Sequence, residues 1–117
     1  MILGILKETG NENRVAILPG EVTVLKKMGI EVLVELHAGE RAFAEDKDFQ
    51  TAGAVIVDRK EVISQATMLL SVNPPVVVDI NSFREGQVLC SILNPVENFN
   101  WFEKARLRGL TDPATYL

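Results

Sequence analysis

Gly20-Glu21-Val22-Thr23-Val24-Leu25-Lys26-Lys27-Met28-Gly29-Ile30-Glu31-Val32-Leu33-Val34-Glu35-Leu36 is the stretch that decides the fold class. Val22, Leu25 and Met28 recur every third residue, which predicts a helix over Gly20–Met28. Glu21 in its first turn and Lys26–Lys27 in its last suit the helix dipole. Gly29 stands where a left-handed cap belongs. The period then changes to two: Ile30, Val32 and Val34 alternate with Glu31 and Glu35, predicting a strand over Ile30–Leu36.

Strand and helix alternate outward from this stretch. Ile2–Leu6 is a short apolar strand that stops at Lys7–Glu8, before a turn-rich loop over Thr9–Asn13. Arg14–Leu18 reads as a short extended segment ended by Pro19. Downstream, Asp46–Ala52 is a short helix closed by Gly53, and Ala54–Val57 a third strand. Asp58 and Glu61 match a capping box opening a helix to Gln65, and Thr67–Val72 is a fourth strand. Val76–Arg84 reads as an extended lead-in and one turn of helix, and Val88–Leu93 as a fifth strand. Asn94, Pro95 and Glu97 occupy the cap, first helical and capping-box positions of a helix expected to reach Arg108. Several strands are unbroken apolar runs, so the fold expected is α/β: a Rossmann-like open parallel sheet with helices on both faces.

Composition narrows the function. In 117 residues the hydrophobic share is 47% and the charged share 24%, as in one ordinary folded domain. A net charge of −4 without a basic block argues against nucleic acid as partner. One cysteine, Cys90, forms no internal disulfide, and with one histidine, His37, makes no Cys/His metal cage. No apolar run is long enough for a membrane span or leader, so a cytoplasmic location is expected.

The dinucleotide fingerprint needs glycines two apart at the first strand–helix turn. The glycines stand at 4, 10, 20, 29, 39, 53, 86 and 109, so the fingerprint is lacking and no cofactor is expected on this chain. Cys90 lies within an apolar strand and reads as a buried core thiol, and His37 reads as a structural histidine at a strand end. No catalytic residue is assigned. Lys7, Glu8, Glu12 and Arg14 bracket the loop at the carboxyl end of the first strand, where open α/β sheets bind ligands. Two readings stand: Lys7 and Arg14 grip a small carboxylate, or Lys7 pairs with a neighbouring Glu on a solvated surface.

The same residues carry a family resemblance. Ile2–Glu8, Asn11–Ala16, Leu18–Pro19, Gly29–Glu35, Ala38–Glu40, Asp48–Ala54 and Glu85–Leu89 resemble the N-terminal domain of the alanine dehydrogenase and nicotinamide nucleotide transhydrogenase family. The resemblance implies that Arg14 matches the arginine that holds the pyruvate carboxylate in alanine dehydrogenases. The positions matching their second carboxylate ligand, a lysine, and their catalytic histidine are Asn73 and Asn94. Asparagine is no proton donor of the imidazolium kind, so the chain resembles the transhydrogenase alpha subunit more closely. Lys7, Arg14 and Asn73 are therefore the candidate substrate or anion-binding residues.

The resemblance further implies an NAD(P)-handling parent, with a nicotinamide-binding Rossmann domain and membrane subunits as partners. Residues 1–111 are expected to form the N-terminal domain, and 112–117 a divergent tail in which Pro113 breaks the family's strand. The chain is expected to be a truncated, inactive piece of that parent, with a truncated alanine dehydrogenase or a free-standing assembly module as the other readings. Apolar sheet left uncovered by the missing parts is expected to draw two copies into a dimer.

Overall fold

The computed structural model describes residues 1–73, 83 and 86–91. In chain order these form β1 (Ile2–Ile5), α1 (Pro19–Lys27), β2 (Glu31–Glu35), a 3₁₀ turn (Glu40–Ala42), α2 (Asp46–Ala52), β3 (Val55–Val57), α3 (Arg59–Gln65), β4 (Met68–Ser71) and β5 (Val88–Ser91). The sheet runs β3-β2-β1-β4-β5, and every neighbouring pair is parallel. The open parallel α/β fold predicted from the strand–helix alternation is the fold observed. Segment 76–84 apart from Phe83, the helix predicted from Asn94 and the boundary at 111 lie outside the described residues.

Helices lie on both faces, as the pattern of burial shows. Leu33 of β2 joins Leu6, Leu69, Leu89 and α3's Val62, Ile63 and Ala66 in one core. Its neighbours Val32 and Val34 join Leu3, Ile5, α1's Val22 and α2's Phe49 in the other. Successive strand residues point to opposite faces, so these two cores are the two sides of the sheet. Gly4 decides how close α3 can come: a Cβ there would lie 2.7 Å from both the Ala66 Cβ and Val62 Cγ1.

Local signals set the helix ends. Pro19 takes the first position of α1, where its missing N–H costs nothing. The Leu18 N–H donates to Glu21 Oε1 at 3.0 Å. Asp58 caps α3 by accepting the Glu61 N–H at 2.8 Å. Gly53 ends α2 at φ 110°, and Gly29 follows α1 at φ 82°, both left-handed as glycine permits.

Two details correct the sequence reading. Met28 belongs to no buried face: it is 68% exposed, while Val22 is the buried residue of α1. At 3.6 residues per turn two steps of three drift about 120° around the helix, which carries Met28 off the stripe begun by Val22. Arg14–Leu18 is not extended throughout: it bends at Ala16–Ile17, joins no ladder, and buries its own Val15 and Ile17.

Candidate functional site

The chain moves outward from β1 to β2 and β3, then returns along α3 to place β4 on the other side of β1. The carboxyl ends of β1 and β4 therefore flank the switch point, the usual ligand crevice of an open α/β sheet. Leu3–Ile5 pair with Met68–Leu70, and the Leu6 N–H donates to the Leu70 carbonyl at 3.1 Å. From there the chain after β1 and the chain after β4 leave side by side. Glu8, Glu12 and Arg14 lie on the first and Asn73 on the second.

Glu8 spans the crevice. Its Oε2 accepts the Val72 N–H at 2.8 Å and its Oε1 the Asn73 N–H at 2.9 Å. Only 8% of this residue is exposed. Burial pushes its pKa up, against the pull of the two backbone donors.

Glu12 forms the outer part. Its Oε2 accepts from Arg14 Nε and its Oε1 from Nη2, both at 2.8 Å, and Oε2 also takes the Arg14 backbone N–H at 3.1 Å. Asn73 Nδ2 donates to Oε1 at 2.9 Å. These donors, the Arg14 side chain first, hold the Glu12 pKa down at about 2. Arg14 and Asn73, two of the residues proposed from sequence, thus meet on one carboxylate.

Lys7 behaves differently. Its backbone N–H donates to Glu35 Oε1 at 2.9 Å, and its carbonyl accepts from Arg59 Nη1 at 3.2 Å. Glu35 is paired instead with Arg59, at 2.7 Å. The Lys7 side chain is exposed and forms no ion pair with another described residue. Arg41 closes the loop from outside, Nη1 donating to the Gly10 carbonyl at 2.7 Å. Among the described residues two small spaces remain here, one beside Lys7, Glu8, Arg59 and Asn73 and one beside Glu12, Arg14 and Arg41, of about 10 Å³ each. Each has room for about one water.

Sequence reasoning passed over Arg59, Arg41 and Glu35, because their partners are 24 or more residues away and no local period marks such a pair. It also passed over Gln87, which is buried and donates to the Ile63 and Ala66 carbonyls at 2.6 and 2.8 Å, closing the end of α3. Cys90 is half-buried rather than a core residue, because its face of β5 is incompletely covered, and burial raises its thiol pKa. A raised thiol pKa keeps it protonated and unreactive near neutrality. His37 sits in a left-handed turn at φ 66° with Nδ1 2.5 Å from Glu40 Oε1. Among the described residues no three His, Cys, Asp or Glu are placed to hold a metal ion, and no helix is long and apolar enough to cross a membrane.

Comparison with known proteins places the fold. Residues 4–114 match the family model described as alanine dehydrogenase/PNT, N-terminal domain. The chain is 40% identical over 96 residues to the alanine dehydrogenase of Mycolicibacterium smegmatis, covering 80% of this chain and 26% of that protein. It is equally identical over 95 residues to the alanine dehydrogenase of Staphylococcus haemolyticus, with the same coverage. It thus spans about a quarter of the length of these curated relatives. Among solved structures, a transhydrogenase from Sinorhizobium meliloti superposes with a TM-score of 0.89 at 31% identity, covering 96% of this chain and 34% of that one. An L-alanine dehydrogenase superposes with the same score, identity and coverage of this chain, and with 31% of its own length. The matched model spans nearly the whole sequence and the open parallel sheet agrees with it, so the chain belongs to the alanine dehydrogenase/PNT N-terminal domain family.

Proposed function

We propose that this domain forms one wall of the hydride-transfer cleft of an NAD(P)-linked oxidoreductase, and that its parent is of the transhydrogenase alpha-subunit kind. A bound nicotinamide would supply or accept the hydride. The residues here do not fit its pyrophosphate: no two glycines stand two apart, and Glu8 fills the adjacent backbone N–H pair at the switch point. The cofactor is therefore assigned to a partner Rossmann domain. Lys7, Arg14 and Asn73 edge the cleft, and membrane subunits complete the assembly. The observation that carries this reading is Asn73. Its amide donates to Glu12 where an alanine dehydrogenase needs a cation for its acid substrate, and Glu12 also takes the guanidinium of Arg14.

A second reading, an alanine dehydrogenase parent, draws more support from the curated relatives, which carry that name at 40% identity. In it Arg14 holds the pyruvate carboxylate. The two readings part in one assay. The protein carrying residues 1–117, purified at its native length, is tested for hydride transfer between NADPH and an NAD analogue, and for alanine-dependent reduction of NAD. The transhydrogenase reading expects the first activity without the second, and alanine-dependent reduction would overturn it. Calorimetry on the 117-residue chain alone is expected to show no saturable NADH binding tighter than about 1 mM, roughly −4 kcal/mol.

A further inference from the structure

Lys7 stands just past the end of β1, and side chains hold its peptide where a neighbouring strand would otherwise do so. β2 runs beside β1 up to the pairing of Ile5 with Val34 and then leaves it. The Leu36 N–H donates to the Val57 carbonyl of β3, and His37 turns left-handed at φ 66°. The Lys7 N–H donates instead to Glu35 Oε1 at 2.9 Å, and the Lys7 carbonyl accepts from Arg59 Nη1 at 3.2 Å. Those two side-chain atoms meet each other at 2.7 Å. One ion pair, reaching in from the end of β2 and the first residue of α3, thus closes on both main-chain groups of Lys7. Both of its side chains are mostly buried. Desolvation then offsets much of the attraction, which makes the pair a weak source of stability. What it supplies is direction, since an apolar pair could fill the same space but could not aim a peptide.

We propose that Glu35 and Arg59 are positioning residues for Lys7, fixing the peptide from which its ammonium reaches the nucleotide in the cleft. The role given to Lys7 rests on the reading of this domain as a cleft wall; the hold on its peptide does not. Lys7 is exposed and borders both small spaces of the crevice, at the edge where the charged part of a nucleotide would lie. A lysine stem is flexible, and the freedom it loses on contact weakens binding. Holding its peptide in advance removes part of that cost. The rest of the loop is pinned separately, at Glu8 by the Val72 and Asn73 N–H groups and at the Gly10 carbonyl by Arg41. Loss of Arg59 therefore frees the Lys7 peptide without releasing the loop.

Arg59→Ala, Arg59→Lys and Lys7→Ala are made in the protein of native length and assayed for whichever of the two activities it shows. Arg59→Ala is expected to raise the KM for NAD or its analogue about fivefold at unchanged kcat, as lost binding does. Lys7→Ala should raise it equally and the double variant no further, because both remove one interaction. Arg59→Lys, which keeps a cation for Glu35, should recover most of the native KM. A merely structural pair would lower kcat through the active fraction and add in full to Lys7→Ala, and either result overturns the proposal. A protein with neither activity counts against the cleft reading, and amide exchange on the 117-residue chain then decides the positioning. In Arg59→Ala the Lys7 amide is expected to exchange at least about tenfold faster, with the Ile5 and Val34 amides unchanged. No acceleration at Lys7, or equal acceleration at all three, overturns the proposal. Should Arg59→Ala fail to fold, Glu35→Gln takes its place under the same expectations, since it keeps the volume but not the charge that holds Arg59.

Discussion

The two faces of the sheet are finished differently on the same strands. On the α3 side Leu69 of β4 and Leu89 of β5 are 0% and 2% exposed. On the opposite side their neighbours Met68, Leu70, Val88 and Cys90 are only half-buried. There α1 and α2 cover β1 to β3, and an apolar groove of about 450 Å³ opens beside Leu3, Leu25, Ile30, Met68 and Leu70. One face is a closed core. The other ends, beyond β1, in apolar surface that gains nothing from water. Among the described residues, Glu8 and Glu12 take up donors of the polar crevice at the strand ends, whereas the groove is lined almost wholly by apolar side chains.

Truncations in β4 test that contrast most directly. Leu69→Ala removes a fully buried side chain from the closed core and is expected to cost about 2–5 kcal/mol in denaturant unfolding. Gly4→Ala should follow. The added Cβ, 2.7 Å from Ala66 Cβ and Val62 Cγ1, forces α3 off the sheet, and overpacking of this kind costs about 1–3 kcal/mol. Leu70→Ala, one residue along on the open face, should cost less, about 1–2 kcal/mol in a monomer, since its side chain is only partly buried. Equal losses at Leu69 and Leu70 would mean that the two faces are equally closed.

The open face should also bring two copies together. Light scattering across a dilution series is expected to show a dimer that dissociates on dilution, and Leu70→Asp should hold the chain monomeric at all concentrations. A native chain that stays monomeric with a sharp melt would show the groove to be tolerated as it stands.

The smallest effect concerns pH and the crevice. Glu12 has a folded pKa of about 2 against an ordinary value of 4.5, so its contribution is present above pH 4.5 and lost as pH falls towards 2. Glu8 has a raised pKa and acts in the opposite sense: its contribution is complete below its ordinary value and declines as pH rises through the folded one. Glu12→Gln should therefore flatten the acid limb of the stability curve between pH 4.5 and 2, read by thermal melts at stepped pH. An unaltered acid limb would show that the Glu12–Arg14 pair adds nothing to the fold.

What could be read in advance was what rests on neighbours in sequence. The helices Asp46–Ala52 and Arg59–Gln65 were legible to the residue, because Gly53 and the Asp58–Glu61 pair act within one turn. The parallel sheet followed from strand–helix alternation and from apolar runs such as Val88–Leu93. The place of the candidate site was legible too, since the loop after the first strand borders the crevice of any open α/β sheet. Its state was not. Glu8 meets Val72 and Asn73 across more than 60 residues, and Arg59 reaches back to Glu35 and to the Lys7 carbonyl. Those bonds exist because α3 carries the chain across the sheet and lays β4 against β1, bringing together groups that no local period connects. Sequence alone determined the elements and the edge at which charge gathers. Only the tertiary structure decided that Glu8 and Glu12 take up that edge's donors from within, because a carboxylate's partner is set by distance in space.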